Sequence, residues 1–98
     1  MRVVIKEPGQ APQIVSIDGS LKSMQKLIGG HIQHVSIKEG IGLLVHEEGK
    51  ILGLDKNFHL SKYNDTICGP VVFVGEIGEE FTSLTEADIE YISANFGH

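Results

Sequence analysis

Apolar residues along this chain mostly alternate with polar ones or run together in short blocks, and they adopt helical spacing at two places only. Residues 2–6 and 13–17 are rich in β-branched side chains and flank Glu7-Pro8-Gly9-Gln10-Ala11-Pro12, whose Pro-Gly pair is a turn signal, so the pattern predicts a hairpin. Leu21, Met24, Leu27 and Ile28 recur three and four apart, which predicts a first helix over about 20–28 with Ser20 or Asp18 as N-cap and Gly29 closing it. Residues 31–37 and 41–46 read as strands joined by Lys38-Glu39-Gly40. A tight turn, Glu47-Glu48-Gly49-Lys50, is expected to lead into a further strand over 51–54. Residues 55–65 are polar and read as an irregular loop with one helical turn around Phe58 and Leu60. Val71-Val72-Phe73-Val74 is apolar on both pleat faces and predicts a central strand covered on both sides, followed by a loop over 75–80. A second helix is expected over 85–96. Thr85 caps it, Asp88 stands at the capping-box position, Leu84 can staple to Ile89, and Ile89, Ile92 and Phe96 line one side before Gly97. These elements specify one α+β domain over residues 1–98, with an antiparallel or mixed sheet carrying two helices.

Size limits what such a domain can bury. With 98 residues, 41% of them hydrophobic, it covers about 60–65% of its unfolded surface and is stable by roughly 5–10 kcal/mol. One cysteine, Cys68, cannot close an internal disulfide, and Met1 leads directly into Arg2-Val3-Val4-Ile5 without the apolar stretch of a signal peptide. This composition reads as a cytoplasmic protein. No apolar run approaches the roughly 20 residues of a membrane helix, so no membrane span is expected.

The net charge of -5 is unevenly spread: residues 1–62 carry +2 and residues 63–98 carry -7, with no Lys or Arg in the latter segment. Lys and Arg are scattered singly, and nucleic-acid binding needs them clustered to displace phosphate counterions, so direct binding to DNA or RNA is not expected. Glu86, Asp88 and Glu90 fall in the first turns of the second helix, where its dipole favours acids by about 0.3–1 kcal/mol each. Glu76, Glu79 and Glu80 lie outside that explanation.

Chemical motifs are sparse. His31 and His34 sit three apart in a predicted strand, which sends them to opposite faces, and His46-Glu47-Glu48 lies at a turn, so no metal site is expected. Cys68 has Ile67, Gly69 and Pro70 as neighbours, which supply no base, and it reads as a small buried hydrophobe. Gly29-Gly30 follows a helix instead of preceding one and does not cradle a phosphate. Gly19-Ser20 beside Lys22 is better placed for an anion, although every helix start needs such a cap. Phosphate-loop, nucleophile-elbow and zinc-type motifs do not occur, and no catalytic residue or cofactor is expected.

The succession Glu7-Pro8-Gly9, Ile17-Asp18-Gly19-Ser20-Leu21 with Gln25, Leu27, Gly29 and Gly30, Glu47-Glu48-Gly49-Lys50 with Gly53-Leu54 and Asn57, Gly69-Pro70-Val71-Val72-Phe73-Val74 and Ser83-Leu84-Thr85 resembles a family of short proteins catalogued as a domain of unknown function. Its members are carried by phages, plasmids and conjugative elements of Gram-positive bacteria. Two places depart from the family pattern: His31 stands where an aromatic is common, and Asp55-Lys56 replaces a proline-containing turn. The resemblance implies mobile-element accessory biology, in host takeover or defence evasion, and supplies no catalytic residue.

These observations favour a non-enzymatic protein that binds a host or phage protein with a basic surface through an acidic C-terminal face: Glu76, Glu79, Glu80, Glu86, Asp88 and Glu90. The alternative is a module that sequesters a nucleotide-like ligand through Ser20, Lys22, His31, His34 and Asn57, polar groups expected to converge near the first helix, at a homodimer interface if the chain pairs. An uncharacterised enzyme is the third reading, and it requires an acid-base constellation in a cleft.

Overall fold

The apolar run at 71–74 lies at the centre of the molecule, whose structure, a computed structural model, describes residues 1–97. The chain order is β1 (Arg2–Lys6), β2 (Gln13–Ser16), α1 (Leu21–Ile28), β3 (Ile32–Lys38), β4 (Ile41–His46), β5 (Lys56–Leu60), a 3-10 turn (Ser61–Tyr63), β6 (Asp65–Cys68), β7 (Val71–Ile77), β8 (Glu80–Thr82) and α2 (Glu86–Phe96). Six strands form one sheet in the order β2-β1-β7-β4-β3, with β8 added on β7, and β5 and β6 pair separately. Every pairing is antiparallel. Along one side of β7, residues 71–73 pair with β1 and residues 75–77 pair with β8, while β4 takes the other side.

Alternation along β7 divides the interior in two. Val72 and Val74 face α1 and pack with Val3, Leu44, Met24 and Ile28. Val71 and Phe73 face the other way, into a core shared with Val4, Ile41, Leu43, Ile89 and Ile92, and closed by Leu60 and Ile67 of the β5–β6 hairpin. Both pleat faces of β7 are therefore covered, which is why its sequence is apolar without interruption. Phe73 forms an aromatic triangle with Phe58 and Phe96, its ring centroid 6.3 Å from the first and 5.0 Å from the second, which are themselves 4.9 Å apart.

Both helices start as their sequences direct. Ser20 caps α1 by accepting from the Ser23 N–H at 3.1 Å, and Asp18 braces that cap by accepting from the Ser20 N–H at 2.9 Å and the Ser23 hydroxyl at 2.7 Å. Those bonds, the Ser23 hydroxyl foremost, pull the Asp18 carboxyl down to about 2. Gly29, at φ +90°, closes α1. In α2 the Thr85 hydroxyl and the Asp88 carboxylate exchange bonds with each other's backbone N–H, the expected capping box. Gly97 follows α2 at φ -81°, so the left-handed closure seen in α1 is not repeated there.

Three expectations are corrected. Residues 51–54 are not a strand: bonds from Leu52 N–H to Glu48 C=O, Gly53 N–H to Lys50 C=O and Leu54 N–H to Gly49 C=O wind 48–54 into successive turns, leaving Ile51 and Leu52 exposed. Residues 55–65 are ordered structure, because Phe58 and Leu60 alternate with Asn57 and His59 and turn inward as β5, pairing with β6. Residues 75–80 continue β7 to Ile77 and turn directly into β8. The 48–54 turns press on β6 so closely that a Cβ on Gly49 would stand 2.4 Å from the Cys68 carbonyl oxygen. Gly49→Ala is expected to lower stability by about 1–3 kcal/mol through this overpacking. A denaturant midpoint equal to wild type would show that the contact is not tight.

Candidate functional site

The seven acids after residue 62 do not form a single unpaired face. Glu76 lies on the α1 side of β7, following Val72 and Val74 by alternation, and its carboxylate reaches across β4 to β3. There it bonds His34 Nε2 and accepts from the Ser36 hydroxyl at 3.0 Å. The intervening residue is Gly42, on which a Cβ would lie 2.9 Å from both the Glu76 carboxylate and His34 Nε2, so glycine leaves the space in which the two meet. The edge of the His34 ring meets Phe81 with centroids 5.0 Å apart. This group pins the edge strand β3 to the central strand β7. The sequence reading put Glu76 and His34 in different candidate sets, and the topology brings them together.

Other acids are also engaged. Asp65 pairs with Lys50, and Glu86 pairs with Arg2 at 2.7 Å. The second pair is largely exposed and contributes at most about 1 kcal/mol. Asp88 is held in the capping box. For Glu79, Glu80 and Glu90, all exposed, no Lys or Arg lies within 4.0 Å among the described residues. Glu79 and Glu80 stand at the tip of the β7–β8 hairpin, beside Ile77, whose surface is 68% exposed.

The alternative ligand set does not converge. Ser20 is the cap of α1, Lys22 is exposed on that helix, His31 precedes β3 and His34 is bonded to Glu76. Asn57 is on β5, whose hairpin covers the opposite face of the sheet from α1. Its side chain accepts from Lys6 Nζ and donates to the carbonyls of Lys6 and Gly69, each at 2.9 Å, leaving no donor for a ligand. Lys6 itself is only 3% exposed, and burial pushes its amine below the ordinary lysine range. In sequence Lys6 looks like a solvated strand end; its inward direction follows only from alternation with Val4.

Two crevices lie on the α2 side. One, of about 230 Å³, runs between the end of β4, the 47–51 turns and β6, with Val45 and Ile67 as floor and Gln33, Lys50, Asp65 and Cys68 around them. Cys68 is thus half-buried at a crevice wall, where a fully buried side chain was expected. The other, of about 250 Å³, lies beside α2 among Ile37, Leu60, Lys62, Tyr91, Asn95 and Phe96. His34, Ser36 and Glu76 line neither of these two crevices. Among the described residues no group of three or more His, Cys, Asp or Glu is disposed to hold a metal ion, and no helix is long and apolar enough to cross a membrane.

The profile of the family described as "Domain of unknown function (DUF3846)" matches residues 1–97. No curated protein and no solved structure matches the chain.

Proposed function

The chain belongs to the DUF3846 family, and from that premise we propose that it is a non-enzymatic accessory protein of a phage or other mobile element, acting in the host cytoplasm. It binds a basic surface of a host or phage protein through the tip of the β7–β8 hairpin. The observation that carries this reading is Ile77, 68% exposed on a hydrogen-bonded hairpin, with the carboxylates of Glu79 and Glu80 beside it, which meet no Lys or Arg among the described residues. An exposed aliphatic side chain on a rigid support gives a contact its affinity, and neighbouring uncompensated charge steers the encounter and selects the partner's sign. Glu90 extends the negative field along α2, whereas Glu76, Glu86 and Asp88 are engaged with His34, Arg2 and the Thr85 cap. The resemblance to mobile-element proteins supports the biological setting.

Capture from host lysate with mass-spectrometric identification, followed by titration of the purified partner, tests the reading. Reversal of Glu79 and Glu80 to Lys should weaken binding by about tenfold or more, roughly 1.4 kcal/mol, and should flatten its salt dependence. Reversal of Glu39, an exposed acid on the β3–β4 turn, serves as control. Equal loss in both variants would remove the hairpin tip from consideration.

Sequestration of a small ligand remains a second reading, favoured by the crevice at Lys50, Asp65 and Cys68. Its 230 Å³ falls below the about 300–1,000 Å³ usual for ligand pockets, which is why the protein-binding reading is preferred. A ligand at 100 times its Kd would stabilise the fold by about 2.7 kcal/mol. Thermal shifts with a nucleotide panel would reveal it, and a flat response across that panel would count against sequestration.

A further inference from the structure

The β2 strand leaves one border of the six-stranded sheet open, and the register shows which backbone groups it offers. The Ile17 N–H donates to the Met1 carbonyl at 2.8 Å, and the Met1 amino group donates back to the Ile17 carbonyl, so these two residues form a hydrogen-bonded pair. Bonded and non-bonded pairs alternate along an antiparallel ladder. In the register Arg2↔Ser16, Val3↔Val15, Val4↔Ile14, Ile5↔Gln13, the bonded pairs are therefore those of Val15 and Gln13, and the N–H and C=O of Ile14 and Ser16 point outward. Arg2 agrees with this assignment, because its N–H and C=O bond Ser83 and Leu84 on the side away from β2.

The two borders of the sheet are treated differently. At β3 the ladder shifts register between Ser36 and Lys38, and the Ser36 carbonyl is taken by the Tyr63 hydroxyl at 2.6 Å. At β2 there is no bulge and no charge: residues 8–17 contain no Asp, Glu, Lys or Arg. Ile14, in the middle of that strip, is 53% exposed. Edge strands of monomeric proteins are usually protected by charge, bulges or a covering element, and of those devices β2 has only its shortness and the flanking Pro12.

We propose that this border pairs with the same border of a second copy, antiparallel, about a two-fold axis at Ile14. The two Ile14 residues then exchange a pair of bonds, and each Ser16 N–H reaches the carbonyl of Pro12 in the other copy. Proline has no N–H to return, so the ladder ends there after four bonds. The exposed Ile14 side chains cover one another on the α2 side of the sheet. A chain of net charge -5 meets itself with least repulsion along an uncharged strip, and an isologous contact asks for nothing but self-complementarity. So short a ladder buries less than the about 1,200–2,000 Å² of a stable interface. The dimer is therefore a weak one whose population follows concentration.

Site-directed crosslinking tests the register. With Cys68→Ser as background, Ile14→Cys places two thiols on residues whose Cα atoms are about 5.5 Å apart in a bonded antiparallel pair, within disulfide reach. Mild oxidation should crosslink Ile14→Cys rapidly, and should leave Gln13→Cys and Ser16→Cys, which face other positions, at least about tenfold slower. In sedimentation, wild type should shift from monomer toward dimer with rising concentration, and Ile14→Lys should stay monomeric with an unchanged thermal midpoint because the side chain is already half in water. Absence of the Ile14→Cys crosslink, equal rates at all three positions, or a wild-type monomer up to millimolar concentration would each overturn the proposal. So would protection of this edge only when a different protein is added.

Discussion

Phe73→Ala should remove about a third or more of the protein's stability. The ring is fully buried in the central strand and packs against both Phe58 and Phe96, so its removal opens a cavity bordered by the sheet, the β5–β6 hairpin and α2 at once. Truncation of a buried phenylalanine costs about 3–5 kcal/mol, against a total stability of roughly 5–10 kcal/mol for a domain of this size. The urea midpoint should fall by about a third or more, while Phe73→Leu, which keeps most of the volume, should cost less than about 1.5 kcal/mol. A loss below about 1 kcal/mol for the alanine variant would mean that the aromatic cluster is not where the layers are joined.

The next largest effect is expected at Asn57. Asn57→Ala removes one bond from each of the Lys6 and Gly69 carbonyls, the former still placed opposite Val71 in the β1–β7 ladder, and leaves the Lys6 amine without its partner. An unsatisfied buried group costs about 1–3 kcal/mol; with the site only partly enclosed, the three together should lower stability by about 2–4 kcal/mol. Lys6→Met removes the buried charge and leaves only the Asn57 oxygen unpaired, so it should fall within about 1.5 kcal/mol of wild type. The two variants should also differ in alkali. Burial lowers the Lys6 pKa below 10.5 in the folded state, so between the folded value and 10.5 the unfolded chain binds more protons. Stability then rises with pH across that window, as the folded state is relieved of a desolvated ammonium. Wild type should therefore gain on Lys6→Met between neutral pH and about pH 10, and parallel stability curves would refute the assignment.

What could be read from the sequence was local. The caps at Ser20 and Thr85 and the central strand at 71–74 follow from neighbours within a few residues, and each has its expected partner. The segment 55–65 was not legible, because Asp55, Lys56, His59, Lys62, Asn64 and Asp65 outweigh the two inward residues Phe58 and Leu60, and the 3-10 turn breaks the alternation. The candidate site divides in the same way. A charge count finds the acids but not their distances: Glu76 meets His34, 42 positions away, only because β4 lies between their strands, and Glu86 meets Arg2 because Ser83 and Leu84, just after β8, bond the Arg2 backbone. Glu79 and Glu80 read as loop residues in the sequence, and they stand instead at the turn and first position of the β7–β8 hairpin, with Glu80 opposite Ile77.

The dependence of the whole sheet on β7 has a consequence for synthesis. Until residue 71 leaves the ribosome, β1–β2 and β3–β4 are separate two-stranded ribbons with no common neighbour, and isolated ribbons of that kind are marginal in water. Nascent chains therefore travel three quarters of their length with unpaired borders, and ribosome pausing upstream of Val71 would prolong that exposure to chaperones and proteases.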